Sequence, residues 1–127
     1  MCKTSNPGAE ELQNLKINNE ELYKIVARKV ATKWNTFNNC MLVVGATYPK
    51  ELAEIRKIVG DMTLLVPGLG AQGGEVKKAI QAGLTRKKMG MIVNSSREIL
   101  YASSGKDFAK RAREKAIYLR DEINKYR

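Results

Sequence analysis

Two segments near the middle of the chain hold residue types suited to gripping a phosphate. Pro67-Gly68-Leu69-Gly70-Ala71-Gln72-Gly73-Gly74 follows the apolar run Met62-Thr63-Leu64-Leu65-Val66, and Asn94-Ser95-Ser96-Arg97 follows Met91-Ile92-Val93. Glycine backbone can approach an anion closely, and a guanidinium holds phosphate oxygens through two parallel hydrogen bonds. At the start of a short helix, the backbone N–H groups of Ser96 and Arg97 would add the positive end of the helix dipole. Gln72 is a long amide between small residues, able to reach both a phosphate and a neighbouring polar ring. Ser5, in the run Ser5-Asn6-Pro7-Gly8-Ala9, offers a hydroxyl and an N–H to the edge of a heterocycle. Each has a plainer reading. Arg97 can cap a carbonyl or pair with Glu98 on the surface. The glycines can serve a tight turn, and Asn6-Pro7 can make a simple turn beside Ser5.

Other chemistries are excluded by composition. The chain has no histidine. A His general base, a Ser-His-Asp triad and a His-ligated zinc are therefore absent, and no metal site is expected. Cys2 and Cys40 are too far apart for a Cys-x-x-Cys motif. Nothing at the N-terminus reads as a targeting peptide, so both are expected to be reduced thiols in a cytosolic protein. No apolar stretch reaches membrane-spanning length, so no membrane partner is expected.

The formal net charge is +10, from 23 basic and 13 acidic residues, which favours anionic partners. Arg86-Lys87-Lys88 and Lys110, Arg111, Arg113 and Lys115 are candidates for a nucleic-acid face. Aromatic residues make up only 6%, and no stacking motif interleaves with the charge. Lys110, Arg111 and Lys115 also lie off the apolar stripe of their helix, as solvated residues do. Nucleic acid is the less favoured partner.

The elements that must position these residues alternate between short apolar runs and amphipathic stretches. Met1 to Ser5 reads as the end of a strand, stopped by Asn6-Pro7-Gly8. Apolar residues from Leu22 to Trp34 recur every three or four places, predicting one helix from Asn19 to Trp34 capped by Asn18. Cys40 to Val44 is the second strand. Pro49 opens a helix to Val59, and Gly60 stops it. Met62 to Val66 is the third strand, Glu75 to Leu84 a helix, and Met89 to Val93 the fourth strand. Ile99 to Ala102 predicts one or two helical turns. A last helix starts at Ser104 and Asp107 in capping-box spacing, with Phe108, Ala112, Ala116, Leu119 and Ile123 as its buried face.

Strand followed by helix, four times over, predicts a parallel α/β sheet in one unit, residues 1–127. Two architectures compete, a small open sheet covered on both faces and half of a (β/α)8 barrel. In such barrels a phosphate site often lies in the loops after the seventh and eighth strands, beside a short extra helix. The Gly-rich loop, the Ser-Ser-Arg loop and the short helix occur here in that order. This favours the C-terminal four β/α units of a barrel.

The segments Cys2-Lys3-Thr4-Ser5-Asn6-Pro7-Gly8-Ala9, Val43-Val44-Gly45-Ala46-Thr47, Val66 to Gly74 and Asn94 to Arg97 together resemble orotidine 5′-phosphate decarboxylase, in the branch whose last strand ends in Asn-Ser-Ser-Arg. The resemblance covers essentially the whole chain. It implies a (β/α)8 barrel that converts orotidine monophosphate to uridine monophosphate and carbon dioxide, without a cofactor, in pyrimidine biosynthesis. It implies that Gln72, Ser96 and Arg97 hold the 5′-phosphate, and that Ser5 and Gln72 face the pyrimidine. The loop containing Pro67, Gly68, Gly70 and Gly73 would close over the ligand.

The chain departs from the family in one large respect. The Asp-x-Lys-x-x-Asp motif that carries the family's catalysis is absent. Lys3 lacks flanking aspartates, and Asp61, Asp107 and Asp121 lie in other contexts. The chain alone is therefore expected to be inactive, with no catalytic residue of its own. A half-barrel also leaves open sheet edges and an apolar inner face. The expectation is a fragment that needs a complementary N-terminal half or self-association. The alternatives are a fragment of another sugar-phosphate-binding barrel and a basic nucleic-acid-binding module.

Overall fold

Three short apolar runs form a parallel sheet in the computed structural model, which describes residues 1–70 and 73–127, the side chains of 73 and 74 excepted. The strands are β3 (Leu42–Val43), β4 (Leu64–Pro67) and β5 (Met91–Asn94), in the order β3-β4-β5. Leu42 lies beside Leu64, and Leu64 beside Met91. The N-terminal segment adds only a parallel bridge between Lys3 and Val44. The Cys2 N–H donates to the Val43 carbonyl (2.9 Å), and the Gly45 N–H donates to that of Lys3 (2.9 Å). The expected first strand over Met1–Ser5 goes no further, because the Thr4 N–H turns to the side-chain oxygen of Gln13 (3.0 Å).

Neighbouring strands follow sequence order, so each right-handed crossover steps the same way and its helix lands on the same face. α3 (Pro49–Val59) packs on α4 (Gly73–Gly83) and on α2 (Leu22–Lys29). Leu64 and Val66 are fully buried, in one core with Leu52, Ile55, Val76, Ala79 and Ile80. Period-two alternation puts Leu65 and Ile92 on the other face, where Ile92 is 48% exposed. The order is that of a singly wound sheet, and no described helix covers the face that carries Leu65 and Ile92.

α3 has the bounds its local chemistry predicts. Pro49 stands at the first turn, and Gly60 ends the helix at φ +59, a conformation that glycine tolerates. Elsewhere tertiary structure overrides the pattern. The expected helix from Asn19 to Trp34 is shorter and broken. Asn18 and Asn19 take left-handed φ values of 52° and 64° and form a tight turn between β1 (Lys16–Ile17) and β2 (Glu20–Glu21). Asn18 is therefore not a helix cap, because the left-handed conformation that asparagine tolerates suits the hairpin turn. α2 passes into a π turn over Val30–Trp34. Trp34, expected on the buried stripe, is exposed at the end of this turn.

A short helix unforeseen in the sequence, α1 (Ala9–Gln13), follows the Asn6-Pro7-Gly8 turn. The short helix after β5 begins earlier than expected, as α5 (Ser96–Leu100), and α6 spans Phe108–Asn124. Asp107 precedes α6, but no side-chain cap bond forms. Asp107 instead accepts from Ser103 Oγ (2.6 Å) and Arg111 Nε (3.1 Å). The expected apolar stripe of α6 is buried only toward its end, at Leu119, while Phe108 is 60% exposed.

Arg56 ties the sheet together at the opposite end from the motifs. Its side chain is buried and donates to four carbonyls. They are Gly83 (2.7 Å, from Nε), Gly60 and Met62 (2.7 and 2.6 Å, from Nη1), and Gly90 (2.7 Å, from Nη2). These carbonyls lie at the end of α3, at the end of α4 and just before β4 and β5. Burial lowers the Arg56 pKa, and nearby Asp61 partly opposes that.

Candidate functional site

The C-terminal ends of the strands open into a cleft of about 380 Å³. Ser5 and Asn6 line it from the N-terminal segment. Val43 and Gly45 come from the end of β3, Pro67, Gly68 and Gly70 from β4 and its loop, and Asn94 to Glu98 from β5 and α5. The sequence places these segments far apart. Parallel pairing brings their ends to one rim, because every strand points the same way.

Each segment is shaped by local chemistry. At Ser5 the backbone passes so close to β3 that a Cβ on Gly45 would lie 3.3 Å from the Ser5 nitrogen. Only a residue without a side chain leaves that approach unstrained. In the Gly-rich segment Gly68 has φ +86, and Leu69 is 2% exposed. Leu69 is thus an apolar anchor between two exposed or half-exposed glycines, a role the sequence reading missed. Pro67 is the last residue of β4, and Gly73 already begins α4. The connection is therefore shorter than the Pro67 to Gly74 loop expected. Gln72 lies outside the described residues.

In the third segment Ser95 is buried and its Oγ lies 3.4 Å from Glu98 Oε2. Ser96 and Arg97 are exposed on the first turn of α5. The Arg97 guanidinium makes no hydrogen bond or ion pair to any other described residue.

Lys3 is the unforeseen feature of the rim. Its side chain is fully buried, although a buried lysine is rare unless paired. Nζ donates to Asn14 Oδ1 (2.7 Å) and lies 4.9 Å from the Tyr48 ring centroid and 5.5 Å from that of Tyr23. A carbonyl dipole and two π faces thus replace water around the cation. With the Thr4–Gln13 bond, this pins both ends of the loop that carries Ser5 and Asn6. The only hint in the sequence is a lone lysine inside a short strand-like run. Beneath it the Cys2 thiol donates to the Tyr23 carbonyl (3.2 Å), and burial pushes its pKa up to about 11. The Tyr23 hydroxyl donates to Glu54 (2.5 Å); burial first, then that carboxylate, raises the Tyr23 pKa well above the usual phenol range.

A three-stranded parallel sheet with helices packed on one face and a cleft at its carboxyl strand ends defines an α/β protein. No protein-family model matches the chain. Curated relatives do. Orotidine 5′-phosphate decarboxylase of Janthinobacterium sp. (strain Marseille) is 53% identical over 126 residues, 99% of this chain and 46% of the relative. That of Azoarcus sp. (strain BH72) is 54% identical over 127 residues, 100% of this chain and 47% of the relative. Among solved structures, Leishmania donovani UMP synthase superimposes with a TM-score of 0.81 at 41% identity, over 99% of this chain and 27% of that one. Leishmania donovani OMP decarboxylase does so with a TM-score of 0.78 at 35% identity, over 97% and 46%. The chain spans about half the length of the curated relatives it matches. Along its whole length it is a homologue of orotidine 5′-phosphate decarboxylases, as its four motifs imply.

Proposed function

We propose that this chain, as one unit, is the phosphate- and pyrimidine-binding half of an orotidine 5′-phosphate decarboxylase barrel, its C-terminal four β/α units. The reaction served is conversion of orotidine monophosphate to uridine monophosphate and carbon dioxide. One observation carries the reading: Ser5, Gly68, Gly70, Ser96 and Arg97, from three separate motifs, line one cleft. Arg97 takes the 5′-phosphate, with a guanidinium uncommitted to any described residue, and the Ser96 backbone adds a donor. Ser5 meets the pyrimidine. Gln72 joins both groups on the strength of the resemblance alone. The segment from Pro67 to Gly73 covers the ligand, so that phosphate binding energy serves chemistry at the distant base.

Decarboxylation itself needs a proton for the carbon that loses carbon dioxide, and carboxylates to oppose the departing one. The chain has no Asp-x-Lys-x-x-Asp motif to supply them. Lys3 lines the cleft, but its ammonium is engaged by Asn14 and two aromatic rings. The chain alone is therefore inactive. The remaining β/α units, from a complementary half or a second copy, would join the open sheet edges and enclose the face that carries Leu65 and Ile92. Two unpaired cysteines suit a cytoplasmic setting.

Calorimetric titration with uridine monophosphate tests the binding half of this reading. Saturable binding is expected, and Arg97→Ala should weaken it about 10- to 100-fold, the worth of a charge-assisted bidentate contact. Unchanged affinity would remove Arg97 from the site. Release of carbon dioxide from orotidine monophosphate by the pure chain would overturn the inactivity.

A further inference from the structure

Asn94 ends β5 beside Pro67, on the uncovered face of the sheet, and lines the cleft. Its Nδ2 makes a long contact of 3.4 Å with Ser96 Oγ. Its Oδ1 is buried and has no hydrogen-bond partner among the described residues. A buried amide oxygen without a donor is costly, and native structures hold few of them. An apolar side chain of similar size would fill the same space without that cost. The residue is thus poorly chosen for stability, which is how a ligand-binding group differs from a packing group.

We infer that Asn94 Oδ1 is a ligand-binding acceptor that takes a hydrogen bond from a sugar hydroxyl of the phosphorylated ligand. This rests on the proposed function, and extends it from the phosphate to the adjacent sugar. Asn94 stands three residues before Arg97 on the same cleft wall, so a group next to a phosphate held by Arg97 comes within its reach. A phosphate offers no donor when ionised, whereas a ribose offers hydroxyls. Engagement requires rotation about the soft Cβ–Cγ bond, which breaks only the weak contact with Ser96.

The test compares methyl phosphate, which has no sugar hydroxyl, with ribose 5-phosphate, by calorimetric titration of the chain. Wild type should prefer ribose 5-phosphate by about tenfold, the worth of one good hydrogen bond. Asn94→Leu should lose that preference and keep its methyl phosphate affinity. Asn94→Asp, which retains an acceptor but adds negative charge, should bind both probes more weakly and keep the preference. If Asn94→Leu does not fold, Asn94→Ala carries the same comparison. The ligand-free Asn94→Leu chain should unfold at the same urea concentration as wild type or a higher one. A preference unchanged in Asn94→Leu overturns this inference and leaves the phosphate site standing, as does the absence of any preference in wild type. A lower unfolding midpoint with unchanged preference assigns Asn94 to the fold alone. If wild type binds neither probe, both readings fall.

Discussion

Replacing Arg56 by methionine removes one side chain and leaves four carbonyls without their donor. Those of Gly83, Gly60, Met62 and Gly90 each receive a bond of 2.6 to 2.7 Å from the guanidinium. A buried acceptor left unpaired costs about 1–3 kcal/mol. Three of the four bonds are only partly buried, so water reaches some of these carbonyls once the guanidinium is gone. Removing Arg56 also relieves the cost of burying its charge. About 1 kcal/mol per carbonyl is then a fair net figure, or about 3–4 kcal/mol in all. That is a large share of the roughly 5–15 kcal/mol that stabilises an ordinary domain. Urea unfolding followed by far-ultraviolet circular dichroism measures it. With a slope of about 2 kcal/mol per molar, the midpoint should fall by about 1.5–2 M. Arg56→Lys should lie between, because one ammonium cannot serve carbonyls that surround a planar fork. A loss below about 1 kcal/mol for methionine, or a lysine variant equal to wild type, refutes the reasoning.

Two further outcomes follow from local geometry. Gly45→Ala places a Cβ 3.3 Å from the Ser5 nitrogen, a contact relieved by a shift of a few tenths of an ångström. Stability should fall by less than about 1.5 kcal/mol, while the Ser5 and Asn6 amide resonances move and uridine monophosphate binding weakens. Unmoved resonances refute the close approach. The Cys2 thiol has a folded pKa of about 11 against about 8.5–9 unfolded. Its neutral form is favoured in the fold, so this stabilisation is present below the unfolded pKa and declines above it, until it is lost near pH 11. At pH 8 a thiol reagent should therefore label Cys40 first and Cys2 only on unfolding, with Cys2 labelling rising about tenfold per pH unit until near its pKa. Equal rates at pH 8 refute it.

Local chemistry made much of the fold legible. Pro49 and Gly60 bound α3 because a fixed φ and a left-handed stop are properties of those residues themselves. β4 and β5 were legible from apolar runs ending in glycine or in asparagine and serine. The misplaced features depend on more distant partners. Phe108 fits the α6 stripe, yet it is 60% exposed, because the core meets that helix near Leu119 and Ile123. Asn18 suits a helix cap or a hairpin turn equally, and pairing of β1 with β2 decided between them.

By itself the sequence determined the chemical inventory. It set a parallel α/β alternation, a Gly-rich turn, a Ser-Ser-Arg strand end, no histidine and no Asp-x-Lys-x-x-Asp motif. Those follow from residue types and near-neighbour spacing. Tertiary structure alone decided that one rim gathers Ser5, Gly68 and Arg97, because adjacency across strands depends on register and winding. It also decided the environments of three polar side chains. Arg56 serves four carbonyls on three stretches of chain, Lys3 lies between two tyrosines, and Asn94 keeps a buried oxygen without a donor among the described residues. Burial and hydrogen bonding are properties of what surrounds a residue, and for these three the surroundings come from distant parts of the chain.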